Sequence, residues 1–266
     1  MSLQQTFEVD HPVAVVTGSG APRVGRAIAL RLASAGCRIV LHARNSLTEA
    51  NAVADQLRTT GTEVLVVQAA IEDEQAVQAM IASTVDAFGR IDILVNAAAI
   101  WEPTKLEDVT AASIRRYFDV NAVGSFVAAR AAGLQMVSQP TGGVIINLGD
   151  WATCRPYLDH ADYFPSKGAV ETMTRSLAVE LAHRNPRIRV NCIQPGPVLL
   201  ADSVDGATQQ AIANSVLLKR VGTAEEVAHA VEFLCENQFI TGVTLPVDGG
   251  KSIYANDGLQ SGLNTG

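Results

Sequence analysis

Three kinds of pattern are scarce or missing in this sequence of 266 residues, and each absence excludes a class of function. The four cysteines are scattered, and no two of them have the spacing of a zinc site. No apolar run is long enough to span a membrane. Clusters of lysine and arginine are also missing, and the net charge is −7. We therefore expect neither a nucleic acid nor a membrane as a partner.

The composition predicts one globular domain in the reducing cytoplasm. Hydrophobic residues make up 48% of the chain and charged residues 18%, which suits a protein with a large core. No secretory pattern follows Met1, and the cysteines are expected to be free thiols. We expect residues 1–11 to be a loose leader, residues 12–250 to form the domain and residues 251–266 to be a tail.

Short β-rich segments alternate with helical periodicity along the chain. Several of the β-rich segments are almost continuously apolar, which is typical of parallel strands covered on both faces. Alternating βα units predict an α/β fold, namely a single-domain, Rossmann-type, doubly wound parallel sheet of about seven strands. The predicted strands are Val13–Thr17, Arg38–His42, Glu63–Gln68, Ile91–Asn96, Gly143–Leu148, Ile188–Ile193 and Val243–Val247. The predicted helices are Gly25–Ala35, Leu47–Thr59, Glu74–Phe88, Val109–Val137, Asp162–His183 and Ala224–Glu236.

A glycine-rich turn, Thr17–Gly25, follows the first predicted strand and leads into a helix. Glycines at such a turn let the backbone approach a pyrophosphate, which the helix N-terminus also attracts. The turn is not a P-loop, because no Gly-Lys-Ser/Thr sequence ends it. Its position in the first βα unit predicts a dinucleotide site. The candidate cofactor-binding residues of this turn are Gly18, Ser19, Arg23, Val24 and Gly25.

The second predicted strand ends without the acidic residue that an NAD site usually has for the ribose hydroxyls. Arg44 offers instead a planar charged fork that suits a 2′-phosphate. His42, Asn45 and Ser46 are candidate hydrogen-bonding groups beside it. The sequence therefore favours NADPH/NADP over NADH as the cofactor. A solvated surface arginine is the alternative interpretation of Arg44.

Tyr163 and Lys167 are four residues apart, which places them on one face of a predicted helix. An ammonium group there is expected to lower the phenol pKa from its usual value of about 10. Asp150 ends a predicted strand and is expected to reach the same cleft. The three groups together predict proton delivery to a substrate. The alternatives are a turn cap for Asp150 and a buried aromatic residue for Tyr163.

In order along the chain, these motifs resemble those of the short-chain dehydrogenase/reductase family over nearly all of residues 12–250. The resemblance implies that Tyr163 and Lys167 are the Tyr-x-x-x-Lys pair of that family. It also implies that Asn121 is the helix asparagine that holds a water molecule of the proton relay. The further cofactor-binding residues that it implies are Asn96, Tyr163, Lys167, Pro195 and Gly196.

Two departures from the family pattern concern the substrate and the adenine. Asp150 stands where the family usually has a serine, and Ala70 stands where it often has an aspartate near the adenine. The aspartate, Arg23 and the cluster at residues 41–46 resemble the pteridine reductase branch. Trp101 corresponds to the aromatic residue that stacks on the pterin in that branch. A core or interface aromatic is the alternative interpretation of Trp101.

The resemblance implies an NADPH-dependent oxidoreductase that transfers a hydride to a C=N bond of a pteridine-like heterocycle. Tyr163 would donate the proton, aided by Asp150 and Lys167, and Arg23 and Trp101 would contact the substrate. A carboxylate suits a ring that bears N–H groups, whereas it would repel the alkoxide formed from a ketone. One alternative is a short-chain reductase of a ketone, 3-oxoacyl or sugar substrate. A second is a non-catalytic, NADPH-binding regulator.

Two further expectations concern the surroundings of this site. One segment contains four residues of types that can bind metals, namely Cys154, Asp159, His160 and Asp162. Their spacing is not that of a recognised zinc site, so no metal site is expected. The partly apolar loop Val198–Arg220 is expected to cover the substrate.

The resemblance also implies a homo-oligomer. Family members commonly pair the long helices that follow the fourth and fifth strands, here Val109–Val137 and Asp162–His183. Both predicted helices have enough apolar residues to bury two faces. A homodimer or homotetramer is therefore expected.

Overall fold

Seven parallel strands form one sheet in the part of the chain that the computed structural model describes, residues 1–200 and 204–254. The strand order is β3-β2-β1-β4-β5-β6-β7, so the chain crosses from one half of the sheet to the other between β3 and β4. The prediction of a single-domain α/β fold of the Rossmann type is confirmed. The strands are β1 (Val13–Val16), β2 (Arg38–Ala43), β3 (Val64–Gln68), β4 (Ile93–Asn96), β5 (Gly143–Leu148), β6 (Ile188–Pro195) and β7 (Thr244–Val247).

Helices cover both faces of this sheet. The bounds of the helices are α1 (Leu3–Phe7), α2 (Val24–Ser34), α3 (Leu47–Thr59), α4 (Glu74–Phe88), α5 (Ala111–Tyr117), α6 (Ser125–Val137), α7 (Phe164–Arg184), α8 (Gly206–Asn214) and α9 (Ala224–Glu236). Helices α1, α2, α3 and α9 share one apolar core with the sheet, and α4, α6 and α7 share the other. Both faces of the central strands are therefore buried, which explains their almost continuously apolar sequences.

The leader that the sequence predicted to be loose instead begins with a helix that packs on the protein. The Ser2 hydroxyl caps α1, and Leu3 and Phe7 are among the most deeply buried side chains. The side chain of Gln4 donates a hydrogen bond to the carbonyl oxygen of Ala35 at 2.8 Å. The burial of these two large apolar side chains stabilises α1 against the protein despite the polar residues between them, because both side chains join the core that α2 and α9 share.

The long helix predicted at Val109–Val137 is interrupted in the structure. A π-helical segment, Phe118–Gly124, separates α5 from α6. Close packing accompanies this change, since a Cβ placed on Gly124 would lie 2.7 Å from the carbonyl oxygen of Ile71. Such π segments often occur at functional sites because they reorient one side chain relative to the regular helix.

The remaining boundaries differ from the predictions by a few residues, and two regions lie outside the described residues. These regions are residues 201–203 of the predicted substrate loop and residues 255–266 of the predicted tail. Helix α8 was not predicted; it is short, and the Asp205 carboxylate caps it. Across the described residues, no helix combines the length and the hydropathy that crossing a membrane requires.

Candidate active site

Tyr163 and Asp150 are hydrogen-bonded to each other at the carboxyl end of β5. The hydroxyl of Tyr163 donates to Oδ2 of Asp150 at 2.8 Å. The other carboxylate oxygen, Oδ1, accepts from the backbone N–H of Ala152 at 2.9 Å, so Asp150 also caps the short turn Trp151–Thr153. Tyr163 is buried, whereas Asp150 is partly exposed. The structure therefore brings these two predicted residues together, with Asp150 as the link between Tyr163 and solvent.

The pKa of Tyr163 is raised above its usual value, mainly by burial and further by the charge of Asp150 and the hydrogen bond to it. The sequence predicted a lowered pKa because of Lys167, and that prediction is wrong. The group that contacts the phenol is a carboxylate, while the Lys167 ammonium donates to the carbonyl oxygen of Leu148 at 2.9 Å. Tyr163 therefore keeps its proton at neutral pH, as a proton donor must.

Lys167 lies in the first turn of α7 and is buried. Burial lowers the pKa of its ammonium group from the usual 10.5, and the negative charge of Asp150 partly opposes that effect. The long side chain thus reaches from α7 to the end of β5, where Asp150 follows. This contact fixes the start of α7 against the strand that carries the carboxylate.

Asn121 lies within the π-helical segment and is buried. Its Oδ1 accepts from the backbone N–H of Ile100 at 2.9 Å, and its Nδ2 donates to the carbonyl oxygen of the same residue at 3.1 Å. The Nδ2 group also donates to the Ser166 hydroxyl at 3.1 Å, close to Tyr163 in the chain. Asn121 therefore joins the loop after β4 to the start of α7. The predicted role in a water relay stays a prediction.

The glycine-rich turn fits close against the backbone that follows β4. A Cβ on Gly18, whose φ is +65°, would lie 2.8 Å from Cα of Ala98. A Cβ on Gly25 would lie 2.6 Å from the carbonyl oxygen of Gly18. Side chains at these two positions would collide with backbone, so only glycine preserves the narrow turn. The turn lies at the carboxyl end of β1, next to the point where the strand order reverses.

The N-terminus of α2 fits an anionic group such as the pyrophosphate of a dinucleotide. Arg23 stands at its N-cap position, and no side chain in the described part of the chain caps the helix. The first N–H groups of α2, which include that of Val24, therefore point towards the turn without a capping partner. Arg23 is exposed, as a residue that contacts a ligand phosphate or a substrate would be.

Ser19 and His42 are turned inward, so the structure does not bring their side chains to the predicted cofactor site. The Ser19 hydroxyl donates to the carbonyl oxygen of Val16 at 2.7 Å. His42 Nδ1 accepts from the Gly18 N–H at 3.0 Å, and Nε2 bonds the carbonyl oxygen of Ala69 at 3.1 Å. Burial lowers the pKa of His42, which is therefore neutral at pH 7. These two residues hold the glycine turn against the second strand.

Arg44 lies at the exposed end of β2, beside Asn45 and Ser46, as the sequence predicted. One of its terminal nitrogens forms an ion pair with Oε1 of Glu72 at 2.6 Å. Glu72 follows β3, two residues after the alanine that replaces the family's aspartate. Sequence reasoning missed Glu72 because Arg44 and Glu72 follow different strands, β2 and β3, which are separated in the chain and become neighbours only in the sheet. The parallel pairing of β2 and β3 was the signal that could have found it.

Three further predicted cofactor residues lie at the carboxyl ends of β4 and β6. Asn96 Nδ2 donates to the carbonyl oxygen of Ser125 at 3.0 Å and to Oδ1 of Asn147 at 2.9 Å. Its own Oδ1 is buried and has no partner among residues 1–200 and 204–254. Pro195 ends β6, and Gly196 follows it. All three lie along the same edge of the sheet as Tyr163.

Trp101 is 48% exposed and belongs to a group of aromatic rings around Tyr163. Its ring stacks on that of His160 with centroids 4.8 Å apart, and its Nε1 donates to the Tyr157 hydroxyl at 3.3 Å. The His160 ring in turn lies 6.2 Å from that of Tyr163. An isolated β-bridge between Thr104 and His160 joins the two loops that carry these rings. One face of Trp101 is therefore already covered, which the sequence did not reveal.

A second group that sequence reasoning missed holds the turn that carries Asp150. The carboxylate of Glu171, one turn beyond Lys167 on α7, accepts from the Thr153 hydroxyl at 2.5 Å. The same oxygen accepts from Nε2 of Gln194 on β6 at 2.8 Å. Glu171 therefore ties the Trp151–Thr153 turn to both α7 and β6.

A cavity of about 390 Å³ lies beside Gly196, at the carboxyl ends of β6 and β7. Val198, Val216, Leu217 and Leu218 are among its lining residues, so the loop predicted to cover the substrate does enclose space. Gly196, one of the predicted nicotinamide contacts, is itself a lining residue of this cavity, and Pro195 precedes it in the chain. Among the described residues, no three His, Cys, Asp or Glu side chains are grouped as metal ligands.

Comparison with known proteins identifies a matching family model and similar proteins over most of the chain. Residues 21–252 match the family model described as Enoyl-(Acyl carrier protein) reductase. The chain is similar to the 3-oxoacyl-(acyl-carrier-protein) reductase of Synechocystis sp., with 34% identity that covers 91% of this chain and 97% of the relative.

Two fungal proteins are similar to the same extent. A short chain dehydrogenase/reductase of Aspergillus oryzae is 33% identical over 94% of this chain and 98% of the relative. Versicolorin reductase 1 of Aspergillus parasiticus is 32% identical over 93% of this chain and 99% of the relative. The names of these relatives give no support to the predicted pteridine reductase branch.

Proposed function

Because the chain belongs to the short-chain dehydrogenase/reductase family of oxidoreductases, we propose that it reduces a ketone with NADPH as the cofactor. The observation that carries this proposal is the buried hydroxyl of Tyr163, which keeps its proton beside Asp150 at the carboxyl end of the sheet. A protonated phenol in that position suits proton delivery to a carbonyl oxygen.

The substrate class follows from the relatives and from the rings around Tyr163. One relative is named a 3-oxoacyl-(acyl-carrier-protein) reductase and another a versicolorin reductase, which supports a ketone substrate. The exposed face of Trp101 and the ring of Tyr157 favour a ketone attached to a flat or conjugated group, because offset stacking on such rings is favourable. The cavity beside Gly196 offers room for an apolar part of the same substrate.

The cofactor contacts in this proposal come from three parts of the carboxyl edge of the sheet. The glycine turn and the N-terminus of α2 would hold the pyrophosphate, and Arg44 would contact the 2′-phosphate. Asn96, Pro195 and Gly196 would border the nicotinamide, with Lys167 at its ribose. When bound, NADPH supplies the hydride for the reduction.

Proton supply is the task of Tyr163 and Asp150. Tyr163 would donate its proton to the substrate oxygen, and a phenolate left beside the carboxylate would be strongly disfavoured. Asp150 is partly exposed, so it can pass a proton from solvent to the buried phenol. The ammonium of Lys167 moderates the negative charge during this exchange.

A substrate panel tests the proposal. Purified protein should oxidise NADPH in the presence of 3-oxoacyl thioesters or of aromatic ketones, and it should do so faster than with dihydropteridines. A protein that binds NADPH but reduces none of these compounds would instead be the non-catalytic regulator. Preference for dihydropteridines would favour the candidate that follows.

A second candidate is reduction of a C=N bond in a pteridine-like heterocycle, and the carboxylate of Asp150 favours it. A ring nitrogen can accept a proton through Asp150, whereas a developing alkoxide would be repelled by the same carboxylate. Asp150→Ser distinguishes the two candidates. A ketone reductase should keep or gain activity in this variant, because a serine hydroxyl can replace the carboxylate as the hydrogen-bond partner of Tyr163 and also donates a hydrogen bond to the substrate oxygen. A heterocycle reductase should lose activity, because serine cannot pass a proton to a ring nitrogen as a carboxyl group does.

A further inference from the structure

The ion pair between Arg44 and Glu72 places a negative charge inside the proposed 2′-phosphate site. A terminal nitrogen of Arg44 lies 2.6 Å from Oε1 of Glu72. The second carboxylate oxygen, Oε2, is buried and has no hydrogen-bond partner in the described part of the chain. Arg44 is the more exposed partner, with 53% of its side chain accessible against 25% for Glu72. The guanidinium is therefore the partner that is more accessible to a ligand, while the carboxylate lies largely below the surface.

We propose that the negative charge of Glu72 weakens the binding of a 2′-phosphate at Arg44 and so reduces the preference for NADPH over NADH. This inference rests on the proposed function, because it requires a dinucleotide at the glycine turn. The end of β2 carries no acidic residue, and we expected NADPH for that reason, but the fold brings an acid there from the segment that follows the neighbouring strand β3.

The charges of Arg44, Glu72 and the 2′-phosphate determine whether Glu72 strengthens or weakens binding of the ligand. A guanidinium has five N–H donors, so Arg44 can bond a phosphate while it still contacts Glu72. The phosphate would then lie within several ångströms of a carboxylate, and two such anions repel each other even near a protein surface. A ligand without the 2′-phosphate does not meet this repulsion. Removal of the Glu72 charge should therefore strengthen binding of the phosphorylated ligand alone.

The same two strands provide a matched control. Arg38 on β2 forms an ion pair with Glu63, next to the start of β3, with 2.6 Å between the charged atoms. This pair also joins an arginine of β2 to a glutamate beside β3, but at the amino end of the sheet, far from the glycine turn. Glu63→Gln therefore removes the same charge and the same type of contact without touching the proposed site.

Isothermal titration of two adenosine fragments measures the effect without any turnover. The probes are adenosine 2′,5′-bisphosphate, which has the 2′-phosphate, and adenosine 5′-monophosphate, which lacks it. Glu72→Gln should lower the Kd of the bisphosphate by about three- to tenfold. It should leave the Kd of the monophosphate within about twofold of the wild-type value, and Glu63→Gln should change neither constant.

Any other result of these titrations contradicts the inference or the proposed cofactor site. Weaker bisphosphate binding by Glu72→Gln would overturn the inference and make Glu72 a support for Arg44. Equal changes for both probes would also overturn it, because the effect would then not depend on the 2′-phosphate. If the wild-type protein binds the bisphosphate and the variant binds it equally well, only the inference fails. If the wild-type protein binds neither fragment, the proposed cofactor site fails as well.

Discussion

Tyr163 and Asp150 act as one unit, because the hydroxyl of the first donates to the carboxylate of the second. The raised pKa of the phenol keeps the proton of this hydrogen bond on Tyr163 near neutral pH. A serine in place of Asp150 would leave the phenol without a charged acceptor. In the proposed reaction, the aspartate would be the group through which Tyr163 regains its proton.

Tyr163→Phe should abolish most of the turnover while it preserves cofactor binding. We expect kcat to fall by about a hundred- to ten-thousandfold, the usual contribution of a positioned proton donor. Tyr117→Phe is the matched control, because its ring packs edge-on against Tyr163 at 5.7 Å and its hydroxyl donates to the Glu102 carbonyl oxygen. Steady-state NADPH oxidation and NADPH titration measure the two effects. A Tyr163→Phe variant with near-normal kcat would rule out the proton-donor role.

Activity should fall at alkaline pH because Lys167 loses its charge. Burial lowers the pKa of this ammonium, so the group is charged below the lowered pKa and neutral above it. The alkaline limb of kcat/KM should therefore have a pKa below 10.5, the usual value. Tyr163 does not produce this limb, because its own pKa is raised.

Asp150→Asn tests the assignment of that limb. The negative charge of Asp150 raises the pKa of Lys167, so its removal should move the alkaline limb to lower pH. The pH profile of the residual activity shows the shift even where kcat is reduced. A limb that stays in place in this variant would mean that another group causes it.

At the scale of single elements, two features place the reactive groups. The π-helical segment orients Asn121 towards the loop after β4. Tyr163 stands at the N-cap of α7, and Lys167 and Glu171 follow in its first turns. Glu171 holds the turn after β5 through Thr153 and Gln194. This turn determines where the Asp150 carboxylate lies.

Glu171→Ala should loosen that turn and destabilise the protein. Loss of the carboxylate removes the charged acceptor that the Thr153 hydroxyl and the Gln194 amide share, and leaves the bonds of Thr153 to the Asp150 carbonyl oxygen and of Gln194 to Thr153. We expect a cost of about 1–3 kcal/mol in the free energy of unfolding, because hydrogen bonds to a charged group are the stronger ones. Glu180→Ala, on the same helix, breaks only an exposed pair with Arg184 and should cost less than about 1 kcal/mol. Urea unfolding compares the two variants. Equal losses would show that Glu171 is an ordinary surface residue.

Strands and most helices were predictable from the sequence, since their apolar patterns follow directly from burial on both faces of a parallel sheet. The π-helical break was not, because a helical periodicity does not reveal a local bulge such as the one that accompanies the close approach of Gly124 to Ile71. The proximity of Asp150 to Tyr163 was predicted from the position of Asp150 at the end of a strand. The partners Glu72 and Glu171 were missed, because they meet the site only through pairing of strands and helices that are distant in the chain.

Across the whole molecule, the exposed apolar residues indicate where a second copy would pack. Leu134 on α6 and Val179 on α7 are 53% and 72% exposed, and both helices follow strands at the centre of the sheet. Exposed apolar residues on neighbouring helices favour association. The homodimer or homotetramer expected from the sequence stays a prediction, and these helices are the surface that we propose for it.

Val179→Asp should weaken the proposed assembly. A charged group on an apolar interface costs free energy because it is desolvated without a partner. Sedimentation velocity should show wild-type protein as a dimer or tetramer and the variant as a smaller species. Leu106→Asp, at a residue that is 70% exposed in the loop after β4, serves as the control and should not change the sedimentation coefficient. A monomeric wild-type protein would contradict the prediction.

Isotope transfer is the most direct test of the proposed reduction. The protein is incubated with NADPH in which both hydrogens at C4 of the nicotinamide are replaced by deuterium and with a ketone that the protein reduces, and the product is examined by NMR and mass spectrometry. Ketone reduction should place one deuterium on the carbon that bears the new hydroxyl group, and Tyr163→Phe should greatly slow its appearance. Consumption of labelled NADPH without deuterium at that carbon would contradict hydride transfer to a carbonyl group.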